Sequence, residues 1–290
     1  MRHDPLDAQT PWSQAWTVAD PLTFAGVGLH AGTPATARVI PAPAGHGLVF
    51  HRVDLPGSPG IPATWAHVVD TRLSTTLAKG EARISTVEHL LAALWGMGVS
   101  DARLEVDGPE VPILDGSARP YAEAIAETGV RVLDAPRRVQ ALPNLGLTEG
   151  DKAVSAVPDD ACKLTCVIDF GQPHAGPQIF HCTLTPRVFY DEIAAARTFC
   201  FRRDVEAMRE AGLARGGSLD NAIVLDADGP SSPLRFSDEL ARHKALDLLG
   251  DLALLGSAWC GHVLAVKAGH PLHTRFARAI AERVPVATSA

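Results

Sequence analysis

Residues 237–256 read SDELARHKALDLLGDLALLG. Leu240, Leu246, Leu248, Leu249, Leu252, Leu254 and Leu255 cover most of the circumference of a helix spanning about 238–255. A helix that is apolar nearly all round is a buried one. Yet His243, Asp247 and Asp251 fall at i, i+4 and i+8, on a single stripe of it. Buried charge is costly unless paired or bound to metal, so the stripe needs a partner. A His and an Asp one turn apart can offer two ligand atoms to one divalent ion. The same spacing suits a buried His–Asp pair or an ion-pair network.

Two further groups could complete such a site. In Ile84-Ser85-Thr86-Val87-Glu88-His89, the histidine opens a second helix. Val87, Leu90, Leu91, Leu94 and Trp95 recur there at helical spacing, and Gly96 and Gly98 end it. Ser85 and Glu88 fit a capping box, with Glu88 reaching back to the Ser85 N–H. The alternative makes His89 a third metal ligand and Glu88 a base beside the metal. Three N/O ligands with one open position is the pattern of a catalytic zinc site. The third group is Gly269-His270, after a strand at 263–267; His262 has the same Gly-His context, and spacing does not choose between them. Asp251 could orient such an imidazole and keep it protonated, because a nearby carboxylate raises a histidine pKa.

The rest of the chain is the scaffold for these groups. It has 290 residues, 46% hydrophobic and 20% charged, which is globular composition and enough for one large domain or two ordinary ones. A net charge of −7 argues against a mainly electrostatic nucleic-acid binder, while leaving room for a local basic pocket for one small anion. The five cysteines, at 162, 166, 182, 200 and 260, form no C-x-x-C and read as free, mostly buried thiols of a reducing compartment. The first 16 residues are polar, carry no apolar run of a signal peptide, and are expected to be a flexible extension. No stretch has the length of apolar residues that a membrane span needs, so a soluble cytoplasmic protein is expected.

Strand-like runs at 37–40, 47–53, 72–78 and 102–107 surround the helix that carries His89. A further helix at 120–127 ends before Gly129. Around 134–150 the text becomes APRRVQALPNLGLTEG, a plausible boundary, giving domains 17–138 and 139–290. The second part repeats the style without repeating the sequence. Strands at 153–157, 163–169 and 179–184 precede a helix start at Thr185-Pro186, a strand at 222–226, the long helix, and a last helix near Leu272. Strands run together before helices, which favours α+β.

Seven segments occur in order: GVGLHAG (26–32), RISTVEHLLAAL (83–94), DGPEVPILDGSA (107–118), ARTFCF (196–201), GGSLDNAIV (216–224), RHKALDLLGDL (242–252) and KAGH (267–270). Together they closely resemble the zinc-dependent UDP-3-O-acyl-N-acetylglucosamine deacetylase family of lipid A biosynthesis, over about residues 24–282. The resemblance implies an α+β protein of two domains, each a β-sheet layered with α-helices, packed face to face around the active site. It implies inserts near 60–80 and 172–197, the second lining an acyl-chain passage with Ile179, Ile193 and Ala194. One Zn2+ per chain would be held by His89, His243 and Asp247. Glu88 would be the general base, and His270, oriented by Asp251, the cationic partner. Thr198 would donate to the developing oxyanion. Phe199 would pack on substrate, Lys244 would meet the diphosphate, Lys152 and Phe170 would hold the uridine diphosphate end, and Gly217 would lie close to substrate. Either Glu88 or His270 could protonate the leaving amine.

The expected partner is an acylated UDP-N-acetylglucosamine, with no nucleic acid, no membrane insertion and a monomeric chain. Two departures from the family pattern stand out. KAGHPLHT carries Pro271 and His273, where Asn is common shortly after the histidine, and RLSTTL carries Ser74 where many relatives have a cysteine. The competing readings are a zinc amidohydrolase with another acylated substrate, and a catalytically silent nucleotide-sugar binder.

Overall fold

A computed structural model describes residues 2–8, 12–172 and 174–283. Parts of the expected extension (residues 1 and 9–11) and the end of the expected second domain (284–290) lie outside the described residues.

Two sheets built on one plan organise the chain. In the first, the central strand Ala102–Val106 runs antiparallel to Pro34–Pro41 and parallel to Leu48–Arg52, with Leu22–Val27 and Gly60–Pro62 completing a hairpin on each side. In the second, Ala258–Val266 takes the central place. It runs antiparallel to Lys152–Val157 and parallel to Cys162–Ile168, flanked by Leu145–Glu149 and Gln178–Thr183. In each half a helix precedes the central strand and another follows it. These are α1 (Glu88–Gly96) and α2 (Arg119–Thr128) in the first half. The second half first adds two shorter helices, α3 (Pro186–Val188) and α4 (Arg202–Glu210). Its equivalents of α1 and α2 are α5 (Glu239–Ala253) and α6 (His270–Arg283). The order of elements seen in the sequence is therefore a shared topology, and the architecture is the expected α+β of sheet-and-helix layers.

The halves meet through helices. α5 packs on Cys162–Ile168 and Gln178–Thr183, and its other face packs on α1. Every residue of α1 is buried, as are thirteen of the fifteen in α5, which accounts for the leucines all round the latter. Contact between α1 and α5 needs Gly250, because a Cβ there would overlap the backbone carbonyl of Glu88. Trp95 adds a second tie, stacking on Trp259 at 5.4 Å between ring centroids and donating its indole N–H to the Ser257 carbonyl at 3.2 Å. The buried apolar side chains of both halves form one continuous core.

Several local expectations change. The first 16 residues are not loose where they are described. Arg2–His3 and Gln14–Val18 both pair with Val130–Pro136, and Pro5, Ala15 and Trp16 are buried. Their polar composition hid a strand that closes a three-stranded sheet through long-range pairing. The segment expected to line a passage, 172–197, contributes a strand and the turns after it. Gln178–Thr183 is an edge strand of the second sheet, with Phe180 and Cys182 facing the core and Ile179 65% exposed on the other side. Ile193 and Ala194 are buried in the turn that follows α3, outside the lining of the cleft described below. The added unit is instead the strand Phe199–Phe201, α4 and the parallel strand Ile223–Asp226. The other expected insert is a small sheet of Val68–Asp70, Thr76–Lys79 and Ala82–Ile84.

Candidate active site

α1 and α5 bring their polar residues together where the first turn of α1 crosses the middle of α5. His243 Nε2 lies 3.4 Å, and His89 Nε2 3.7 Å, from Asp247 Oδ1. The three ligand atoms lie within 4.8 Å of one another, and all three residues are buried. Both separations exceed a normal N–H···O hydrogen bond. They approach the ~3.3 Å edge of a tetrahedron whose ligands stand about 2.0–2.1 Å from a central zinc. His243 Nδ1 donates to the Ala196 carbonyl at 3.1 Å, which leaves the lone pair on Nε2. Burial pushes the His243 pKa down to about 3, so the ring is neutral, as a ligand must be. Although burial opposes it, the cationic Lys244 and His270 hold Asp247 well below the usual carboxylate range. The donor set fits a divalent metal.

Glu88 is 2% exposed and sits beside this cluster. The capping-box reading fails. Residue 87 takes the N-cap position with no side-chain cap, and the Ser85 hydroxyl donates to the Pro109 carbonyl. Glu88 Oε2 instead accepts the Thr75 N–H at 3.0 Å, while Oε1 faces His270 Nε2 at 3.9 Å. Burial raises the Glu88 pKa, which suits a carboxylate that must take up a proton. Just before α1, Thr86 holds φ at +56° with its hydroxyl donating to Glu110 Oε1. Lys267, before α6, holds +49°. Both turns that aim reactive side chains thus carry non-glycine residues in the left-handed region, where strain is sustained only by surrounding structure.

The tertiary fold brings His270, and not His262, beside Glu88 and Asp247. His262 sits on the second sheet, 2.7 Å from the Thr165 hydroxyl and against His181. His270 opens α6, where a loop was expected, and its Nδ1 donates to Asp251 Oδ2 at 2.7 Å. Burial favours the neutral ring, but Asp251 and Asp247 outweigh it and raise the His270 pKa to about 10. Its Nε2 lies 3.9 Å from both Glu88 and Asp247.

Next to these groups lies a cleft of about 530 Å³. Thr198, Phe199, Gly217, Lys244 and Phe170 line it, as does a mainly apolar wall including Phe201, Val205, Met208 and Leu219. Lys152 stands apart, exposed at the start of Lys152–Val157 and outside the cleft lining. The Lys244 ammonium is engaged by Asp247 Oδ2 at 2.7 Å and lies over the Phe199 ring. Of the two adjacent glycines, Gly216 is the one that admits no side chain, since a Cβ would overlap the Gly28 carbonyl; Gly217 faces the cleft.

Sequence reasoning missed Thr75, whose backbone holds Glu88 and whose hydroxyl donates to Asp251 Oδ1 at 2.6 Å. Its only sequence signal was its place beside Ser74 in RLSTTL. It also missed Glu110, which accepts from the Thr86 hydroxyl and from the His30 and Ala31 N–H groups.

The family model for UDP-3-O-acyl N-acetylglycosamine deacetylases matches residues 15–282. The chain belongs to this family. A UDP-3-O-acyl-N-acetylglucosamine deacetylase of Anaeromyxobacter dehalogenans is 50% identical over 90% of this chain and 85% of its own. Deacetylases of the same name from Trichormus variabilis and Myxococcus xanthus are 47% and 46% identical, over 91% of this chain in both cases and 97% and 85% of their own. The family match spans both halves, so both sides of the candidate active site belong to what is shared with these deacetylases.

Proposed function

We infer that the chain removes the N-acetyl group from UDP-3-O-acyl-N-acetylglucosamine, a hydrolysis of lipid A biosynthesis that yields acetate and the free 2-amino sugar nucleotide. The observation that carries the reading is the buried juxtaposition of Glu88 and the Asp251-held His270 beside three metal-ligand side chains. His89, His243 and Asp247 would hold one zinc ion. When bound, it supplies Lewis acidity toward water and the acetamide carbonyl.

The chain's own residues do the rest. Glu88 Oε1 takes a proton from the attacking water while Oε2 stays on the Thr75 N–H. The carbon–oxygen bond forms and the carbonyl oxygen becomes an oxyanion. His270, protonated at neutral pH, faces that charge with Nε2–H, and the Thr198 hydroxyl adds a second donor. The C–N bond then breaks, with the amine taking its proton from Glu88 or His270. The apolar wall of Phe201, Val205, Met208 and Leu219 would take the acyl chain. Phe170, which makes edge contacts with Phe199 and Phe201, would stack on uracil. Lys244, on the cleft wall, would meet the diphosphate, which gives a chain of charge −7 a local cation for an anion; Lys152, outside the cleft lining, could reach only a part of the substrate that extends beyond it.

We assign two domains that divide at 138/139, on the shared topology of their sheets, the first taking in the N-terminal strands Arg2–His3 and Gln14–Val18 that pair with Val130–Pro136. Among the described residues, no helix is long and apolar enough to cross a membrane. A soluble, cytoplasmic monomer fits the hydrolysis of a nucleotide sugar.

Acetate release and metal content of the same samples test the assignment. Glu88→Gln should keep its zinc and lose about 10²- to 10⁴-fold in kcat. His89→Ala should lose the metal. A Glu88→Gln enzyme of parental rate would falsify the general-base role, and a zinc-loaded parent that releases no acetate would favour a silent nucleotide-sugar binder.

A further inference from the structure

Asp251 carries one partner more than this reaction uses. It has no exposed surface, and its two oxygens accept three hydrogen bonds. The Thr75 hydroxyl takes Oδ1 at 2.6 Å. On Oδ2, the His270 Nδ1 at 2.7 Å is joined by His273 Nδ1 at 2.9 Å. A carboxylate only accepts, so both Nδ1 atoms carry protons. Distances this short are hydrogen bonds, which makes the Asp251–His270–His273 group a proton-linked triad instead of a second metal nest.

His273 is 1% exposed and lies one turn along α6 from His270. Burial lowers its pKa, so it brings a donor to Asp251 without adding charge. Packing alone would be served by an apolar side chain of similar size, which would bury no polar atoms. The donor therefore points to a task at the carboxylate. With Thr75 on one oxygen and His273 sharing the other, the Asp251 carboxylate cannot rotate about its Cβ–Cγ bond without breaking a bond to a buried donor. That rotation is the motion that would swing the His270 ring.

We propose that His273 is a positioning residue, acting through Asp251 to hold His270 Nε2 in place 3.9 Å from Glu88 Oε1. The inference rests on the reading of His270 as the partner of the developing charge. It predicts a defect in the chemical step and little change in substrate affinity.

The geometry also fixes which substitutions can replace His273. Asn Nδ2 stands the same number of bonds from the backbone as His Nδ1, whereas the Gln amide lies one bond further out. In the zinc-loaded enzyme, His273→Asn should release acetate at close to the parental kcat. His273→Leu and His273→Gln should lose about 10-fold or more in kcat, with KM little changed and zinc still about one per chain, the size of effect usual for partners that orient a reacting side chain. The Nδ1 proton resonance of His270, read by NMR on histidine-labelled protein, should stay in place in the Asn variant and shift in the Leu variant. Parental kcat in His273→Leu, or equal losses in the Asn and Leu variants, would overturn the inference, as would a loss confined to KM. His270→Ala separates the two levels. If it is inactive while His273→Leu is parental, only the positioning role fails; if it turns over normally, the reading of His270 fails and this inference with it.

Discussion

Single residues here are explained by where their charge goes. Glu88, Asp247 and Asp251 are all buried, each within 3.9 Å of a ring nitrogen of His270, an arrangement that would be prohibitive for three bare carboxylates. Each has its own compensation: the Thr75 N–H for Glu88, the Lys244 ammonium for Asp247, and a hydroxyl with two imidazole donors for Asp251. Thr75 serves two of the three, through different atoms. Thr75→Val keeps the shape and the backbone N–H, and removes only the hydroxyl that satisfies Asp251 Oδ1. The variant should lose about 1–3 kcal/mol of stability in urea titrations, the cost of an unpaired buried acceptor. It should also lower kcat more than it raises KM, because the displaced group touches His270 and not the cleft wall. The acids on α5 and the His of α1 were legible in the sequence by their spacing. Thr75 was not, since nothing in RLSTTL says that its N–H and hydroxyl will face two different helices.

Among elements, the decisive contact is α1 against α5. The apolar periodicity of both was readable, and their C-terminal ends fall close to the glycines that follow the apolar run, at Gly96 and Gly256. Their approach was not readable, because it depends on one small residue. Gly250 sits among leucines in the long helix, where a glycine alone would weaken it by ~1 kcal/mol relative to alanine. The tertiary gain is that the Glu88 backbone can lie against α5. Gly250→Ala should therefore destabilise the protein by about 1–3 kcal/mol despite improving helix propensity. It should also lower acetate release, since the clash falls on the backbone of the proposed base. An alanine variant with raised Tm and full activity would show that the helices have room to separate. The segment expected to line an acyl passage shows the same limit at the scale of elements. The apolar residues at 179, 193 and 194 sit in two different settings: Ile179 is exposed on an edge strand, and Ile193 and Ala194 fill the core. The cleft wall lies on α4 and its flanking strands, whose Phe201, Val205 and Met208 read in sequence as ordinary amphipathic text.

The molecule as a whole is two similar layers sharing one interior. α5 belongs to the second half by chain order, yet it buries nearly all its residues between α1 and the second sheet. A core continuous across both halves should melt as one unit. Far-ultraviolet and near-ultraviolet circular dichroism should report a single coincident transition. Leu249→Ala, at a fully buried position of α5, should lower the stability of that one transition by about 2–5 kcal/mol. Two separate transitions, only one of them moved by Leu249→Ala, would show that the halves hold their own cores.

Local pattern by itself determined the α+β class, the two principal helices, the stripe of His243, Asp247 and Asp251, and the candidates at Glu88 and His89. These follow from periodicity and from the cost of burying charge, both of which act within a few turns of chain. The tertiary structure decided everything that depends on which distant groups meet. It excluded the capping box by turning Glu88 toward Thr75, brought His270 and not His262 beside Glu88, and tied the N-terminal residues into a sheet with Val130–Pro136. It also placed His273 on Asp251. Hydrogen bonds between buried groups far apart in sequence are set by how the halves pack, and no spacing along the chain encodes them.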